Sequence, residues 1–204
     1  MFITGVTPLD NRRKRVYIDG EYVFPLYLSE LRKFHIIEGN EISSDAVGVI
    51  YELIHKRIRE RILYLIGDMP RTEKNIRMKL KQSYYTDKCI NPVIEELKKY
   101  RYIDDVDYAF NYAASLRDNS GKSRRIIEQK LYEKGISRNI IYQVMSELDT
   151  NEDNQIERAI RKKGYSVEDI SSMDYSGQQK FYRYLLSKGF SSKDICKYFH
   201  IMSE

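Results

Sequence analysis

The chain has 204 residues, 42% of them hydrophobic and 32% charged, with a net charge of +5 and a pI near 9.0. This supports one or two domains with a real core, and the mild basic excess permits an acidic partner without requiring one. No segment approaches about 20 consecutive apolar residues and the N-terminus lacks the basic-then-apolar order of a signal peptide, so no membrane span is expected and a cytoplasmic location is.

Residues 1–26 alone have strand character. Phe2, Ile3, Gly5 and Val6 precede a break at Pro8, and residues 16–18 and 22–24 flank Asp19-Gly20, a strong hairpin-turn dipeptide. Arg12 to Arg15 form a four-residue basic run on or beside that hairpin. It suits contact with phosphate or an acidic protein face, and equally a solvated loop that keeps a strand edge soluble. Pro25 is expected to end the second strand, a short helix to follow over 29–36, and residues 38–40 to turn.

Ser44 and Asp45 open the first long helix, whose buried stripe reads Val47, Ile50, Tyr51, Ile54, Ile58, Ile62 and Leu65. Residues 67–70 break it, and Thr72 is placed to cap the next helix. Between Lys56 and Lys81 lie nine basic and three acidic residues, a local charge of +6 that exceeds the net charge of the whole chain. Its cations Arg57, Arg61, Arg71, Lys74, Arg77 and Lys81 are the first candidates for contacting a partner or DNA, with Arg124 and Arg125 second; each also reads as part of a solvated helical face. Asn91-Pro92 is expected to bend or restart the helix after Thr86.

Asp104 and Asp105 read as helix caps, with Asp107 beside them. From Arg124 to Leu148 the pattern is a helical hairpin, with apolar residues one turn apart, Gly135 ending the first helix and Ser137 starting the second. The carboxylates at 147, 149, 152 and 153 lie in a polar connection without the glycine turn and regular alternation of an oxygen-ligand loop, and this connection suggests that the segment after it moves. Residues 161–164 end a helix, 171–177 form a polar connection and 180–188 begin a terminal hairpin.

That hairpin occurs three times. A shift of 51 residues back lays Ile76, Leu80, Tyr84, Tyr85, Thr86 and Ile90 on Ile127, Leu131, Gly135, Ile136, Ser137 and Ile141, and a shift of 54 forward lays Phe181, Leu185, Gly189, Phe190, Ser191 and Ile195 on the same frame. The period leaves room for a third helix per copy, at about 45–66, 105–116 and 155–163. The expectation is therefore a mainly α chain of three tandem three-helix repeats in an elongated array, preceded by a small N-terminal extension with a β-hairpin. Its divisions fall at 1–43, 44–103, 104–149 and 150–204. Tyr84 replaces the glycine of the other two copies, so the first hairpin is expected to turn differently.

Nothing points to catalysis. His35, His55 and His200 stand apart from any carboxylate or thiol at a recognisable spacing, and no phosphate loop or nucleophile elbow is present. Cys89 and Cys196 fall inside helices without a partner at ligand spacing and read as buried reduced thiols. No metal, cofactor or catalytic residue is expected. The 18 tyrosines, with no tryptophan, are assigned mostly to the core.

The order Tyr102-Ile103-Asp104-Asp105, Tyr108-Ala109, Gly121, Arg124 to Ile127 and Lys134-Gly135-Ile136, repeated as Lys188-Gly189-Phe190, resembles the RecX family of regulators. The resemblance covers residues 58–202 well and the first fifty loosely. It implies a non-enzymatic, monomeric regulator that binds the RecA recombinase filament on DNA and modulates, chiefly inhibits, its ATPase, strand-exchange and co-protease activities in recombinational repair and the SOS response. The alternative is a DNA-binding protein using helix-turn-helix-like units. Weak non-specific DNA binding is compatible with both. Against the alternative, residues 87–100 and 138–147 are poor in side chains that could form a consistent base-reading face.

Overall fold

The computed structural model describes residues 1–148 and 151–199. Asp149 of the acidic connection, His200, and Met202 at the end of the terminal hairpin lie outside the described residues. The chain divides into two compact units, Met1–Asp104 and Asp105 onward.

The first unit opens with a three-stranded antiparallel sheet in the order β1 (Ile3–Pro8), β2 (Arg13–Ile18), β3 (Glu21–Tyr27). Asp19 and Gly20 both take positive φ, the twist that a two-residue hairpin turn requires. Two expectations change here. The segment before Pro8 is a full strand, with Val6 opposite Val16. Pro25 does not end β3, which continues to Tyr27; an edge strand tolerates a residue that lacks one ladder donor. Helix α1 (Leu28–Lys33) follows directly, shorter than expected.

Helix α2 (Ser44–Asp68) buries Val47, Ile50, Ile54, Ile58, Ile62 and Leu65, the stripe set by its three- and four-residue spacing, while Tyr51 is half-buried beside it. Helices α3 (Glu73–Gln82) and α4 (Asp87–Lys99) complete the group. Ile76, Leu80, Ile90, Val93, Ile94 and Leu97 join the α2 stripe and the sheet residues Ile3, Val16, Phe24 and Leu26 in one core. Thr72 caps α3 by accepting from the Asn75 N–H, and α4 runs unbroken through Pro92 rather than restarting at Asn91.

The α3–α4 turn corrects the reading of Tyr84. Its φ is +68°, in the left-handed region occupied by Gly135 at +89° and Gly189 at +94°. The turn bonds match as well. The Tyr84 N–H donates to Lys81 O and the Tyr85 N–H to Leu80 O, as the Gly135 and Ile136 N–H groups donate to Tyr132 O and Leu131 O. Tyrosine therefore adopts the glycine turn, at a conformational cost of roughly 1–2 kcal/mol. The Tyr22 hydroxyl donates to the Tyr84 carbonyl and the Arg15 guanidinium lies 5.2 Å from the Tyr84 ring centroid, which holds the turn in place.

The second unit holds α5 (Asp105–Asp118), α6 (Arg124–Glu133) and α7 (Arg138–Glu147) around Ala109, Ala113, Ile127, Leu131, Ile136, Ile141, Val144 and Met145. Small alanines on α5 leave room for the branched side chains opposite. Four further helices follow among the described residues: α8 (Glu152–Arg161), α9 (Val167–Ser172), α10 (Tyr175–Lys188) and α11 (Ser192–Cys196), around Ile156, Ile160, Ile170, Phe181, Leu185, Phe190 and Ile195. Ser171 and Gly177, read as part of a polar connection, lie inside α9 and α10.

The α5–α7 and α8–α11 groups are stapled together. The Ser123 N–H donates to Lys188 O at 3.1 Å, the Lys188 ammonium to Ser120 O at 2.7 Å, and the Arg124 N–H to a Glu152 carboxylate oxygen at 3.0 Å. These bonds oppose the independent motion expected of the last segment.

The tyrosines also depart from expectation. Tyr85 alone is fully buried, whereas nine of the 18 are exposed, from Tyr27 at 37% to Tyr142 at 76%. Isoleucine and leucine fill the core, and half-buried tyrosines such as Tyr51, Tyr112 and Tyr184 pack against its margins.

Candidate functional site

The sequence places Arg57 and Arg61 four residues apart, one turn along the same side of α2. The structure adds residues from far up the chain. A cleft of about 660 Å³ is lined by Asp10, Asn11, Arg12, Arg13, Tyr27, Arg57, Arg61, Ser83 and Tyr85. Four arginines face one aspartate in it.

The turn between β1 and β2 presents Arg12. One oxygen of Asp10 accepts the Arg12 and Arg13 N–H groups at 2.9 and 2.8 Å, and the other accepts the Arg13 Nε at 2.8 Å. Those bonds, the Arg12 N–H foremost, hold the Asp10 carboxyl below the usual aspartate range. The turn is therefore fixed by its own aspartate. Arg13 is committed to structure, its Nη1 also donating to Ser83 O at 3.1 Å.

Glu30 organises the opposite wall. One of its oxygens accepts the Tyr27 N–H at 2.8 Å at the start of α1, and the other accepts from Arg57. The Tyr27 ring lies 4.7 Å from the Arg57 guanidinium, a cation–π contact. Burial works against the Arg57 charge, but Tyr85 and Glu30 more than offset it, so that the guanidinium stays firmly protonated. Its Nη1 is buried without a hydrogen-bond partner.

Arg12 and Arg61 differ from these two. Both are exposed, and neither guanidinium has a carboxylate within ion-pair distance among the described residues. Arg61 lies 5.6 Å from the Tyr64 ring centroid, and Tyr64 is 71% exposed.

The other candidates are dispersed. Arg71 is 16% exposed and fastens the end of α2, donating to Leu65 O and Asn75 Oδ1 and facing Asp68. Arg77 bonds Glu73 at 2.6 Å and Asn91 at 2.7 Å, and Lys81 pairs with Asp87 at 3.1 Å. Lys74 is exposed on α3. In the second unit, Arg124 pairs with Glu128 at 2.9 Å and Arg125 is exposed. Of the eight candidates, only Arg57 and Arg61 line the cleft. The Arg12–Arg15 run was visible in the sequence, but its position against α2 was not, and nothing local singled out Tyr27 or Tyr85.

A second cleft, of about 540 Å³, is lined by Arg117, Asp118, Arg158, Arg161 and Lys162. Here the charges satisfy one another. The Asp118 carboxylate accepts from Arg117 at 2.9 Å and Arg158 at 3.4 Å, its carbonyl accepts from Lys162, and Arg161 pairs with Glu157 at 2.6 Å. The Arg117 bond foremost lowers the Asp118 pKa.

Among the described residues no group of three or more His, Cys, Asp or Glu side chains is placed to hold a metal, and no helix is long and apolar enough to cross a membrane. Cys89 is buried, Cys196 is half-buried, and both are free.

A small sheet followed by successive helical groups, with a concentrated arginine cleft on the first unit, defines a helical-repeat protein. The family model for the second three-helix domain of RecX matches residues 104–145. Regulatory protein RecX of Clostridium beijerinckii is 30% identical over 90% of this chain and 86% of its own length, and that of Clostridium acetobutylicum is 30% identical over 93% and 92%. A crystal structure of regulatory protein RecX aligns with a TM-score of 0.57 and 26% identity over 95% of this chain and 96% of its own. The chain belongs to the RecX family of regulatory proteins. The resemblance read from residues 102–136 is borne out.

Proposed function

We propose that this protein binds the RecA nucleoprotein filament and lowers its ATPase, strand-exchange and co-protease activities during recombinational repair and the SOS response, acting as a cytoplasmic monomer. The observation that carries the reading is membership of a family of regulatory proteins over nearly the whole chain. The fold supports it. Three helical hairpins share one turn geometry at Tyr84, Gly135 and Gly189, so one hairpin unit recurs along the chain. A filament also repeats, and several weak contacts to neighbouring protomers would add avidity. Regulation then follows from preference for one filament state over another.

The helix-turn-helix alternative draws less support. On α7 the exposed Arg138, Asn139 and Gln143 could donate to base edges, but at the aligned positions α4 carries Asp87, Lys88 and Pro92, so no base-reading face recurs between the two hairpins.

The test is DNA-dependent ATP hydrolysis by RecA of the same organism, with this protein at sub-stoichiometric ratio. Hydrolysis should fall at concentrations where bare DNA is not bound. Unchanged hydrolysis and no co-sedimentation with the filament would refute the reading.

A further inference from the structure

The cleft on the first unit holds more unsatisfied positive charge than folding requires. Asp10 and Glu30 are the carboxylates engaged there, and they are occupied by Arg13 and Arg57. Among the described residues the guanidinium groups of Arg12 and Arg61 have no carboxylate partner, and Arg57 Nη1 is a buried donor with no acceptor. Buried donors are nearly always satisfied, so an unsatisfied one on a residue that lines the same cleft as Arg12 and Arg61 marks a place for an oxyanion. The second cleft carries the same count of cations and carboxylates but differs in pairing: Arg117 and Arg158 share Asp118, Arg161 bonds Glu157 and Lys162 bonds the Asp118 carbonyl, so each cation already has a protein acceptor.

Aromatic rings accompany the charge. Tyr27 lies against Arg57, Tyr64 against Arg61 and Tyr84 against Arg15, and the three tyrosines are 37%, 71% and 44% exposed. Tyr27 lines the cleft, Tyr84 follows its lining residue Ser83, and Tyr64 is one turn along α2 from Arg61 by way of their contact. Guanidinium forks match the paired non-bridging oxygens of a phosphate, and exposed rings offer platforms for unstacked bases.

We propose that the cleft bounded by Arg12, Arg57, Arg61 and Tyr27 is a phosphate pocket that holds the backbone of a single-stranded nucleic acid, with neighbouring bases stacked on the exposed tyrosines. The pocket's walls are the β1–β2 turn, the end of β3, α2 and the α3–α4 turn, and no residue of α4, the second helix of that hairpin, lines it, so it is distinct from a recognition-helix surface. It does not rest on the recombinase reading and is tested without recombinase.

The experiment is fluorescence anisotropy of the full chain with a labelled oligothymidylate across a salt series. Replacing both Arg12→Gln and Arg61→Gln should weaken binding about tenfold and reduce the slope of log affinity against log salt by about 1.4, the value for two lost phosphate contacts on a single strand. The Tyr64→Ser variant should weaken binding about fivefold and leave the slope unchanged, because it removes stacking rather than charge. Arg158→Gln with Lys162→Gln should alter neither. Far-UV circular dichroism checks that each variant folds.

Unlabelled oligonucleotide should displace the probe far better than ATP or inorganic phosphate at equal phosphate concentration. Equal displacement by ATP would overturn the strand as the source of the phosphate. Equal displacement by polyglutamate would overturn phosphate itself. No binding of the oligonucleotide, or an Arg12 and Arg61 variant with unchanged affinity and slope, would overturn the pocket.

Discussion

Gly189 sits where two demands meet, and its replacement by alanine measures both. Its φ of +94° strains any L side chain, and a Cβ built there would lie 2.1 Å from Ile126 Cγ1 and 2.7 Å from Ser123 Oγ. Gly164 isolates the first demand: its φ is +80° and nothing lies within 4 Å of its Cβ position. Gly164→Ala should therefore cost about 1 kcal/mol, the conformational term alone. Gly189→Ala adds overpacking of about 1–3 kcal/mol against Ile126. It also disturbs Ser123, whose side chain accepts the Ile126 N–H to cap α6, a contact worth about 1 kcal/mol. The expected total is about 3–5 kcal/mol. Both glycines belong to the second unit, so urea unfolding followed by far-UV circular dichroism reports them on the same transition. Ile126→Ala should then recover part of the Gly189→Ala loss in a double-mutant cycle, since it removes the nearest atom. Equal costs for the two glycine variants, or no coupling to Ile126, would refute the close approach of the α10 end to the start of α6.

Two pH effects follow from the first unit. Burial foremost pushes the Tyr22 hydroxyl up to about 12 from its ordinary 10.0. The unfolded chain therefore loses this proton first, and stability falls as pH rises between those values; Tyr22→Phe should flatten that alkaline limb in urea titrations, and an unchanged limb would contradict the assignment. Burial raises the Glu73 carboxyl, but bonds from Arg77 and Lys98 outweigh it and leave the pKa below 4.5. Its stabilisation is present above that value and is lost as pH falls through the folded pKa. Glu73→Gln should cost about 0.5–1 kcal/mol at neutral pH and shrink the acid-side loss, as equilibrium unfolding at several pH values will show.

Much of the helical architecture was legible because it is local. The stripe from Val47 to Leu65, the caps at Thr72 and Ser137, and the left-handed stops at Gly135 and Gly189 depend on residues within a turn or two of one another. The repeat frame even aligned Tyr84 with those glycines, although residue type alone argued for a different turn. The backbone kept the repeat geometry because Tyr22, 62 residues away, bonds the Tyr84 carbonyl, and Arg15 lies beside its ring.

The candidate site followed the opposite rule. Charge density between Lys56 and Lys81 marked a basic segment in the sequence, but the segment's cations have different fates. Arg71 and Arg77 bond neighbours on or beside their own helices, whereas Arg57 and Arg61 meet Arg12 and Arg13 across more than forty residues of chain. Residue type and spacing determined the repeats and the positions of the helix ends, since backbone geometry and apolar periodicity are short-range properties. Which guanidinium groups are spent on carboxylates, which stay free and which share a cleft was decided by the tertiary structure, because electrostatic pairing depends on distance in space and the sequence records only distance along the chain.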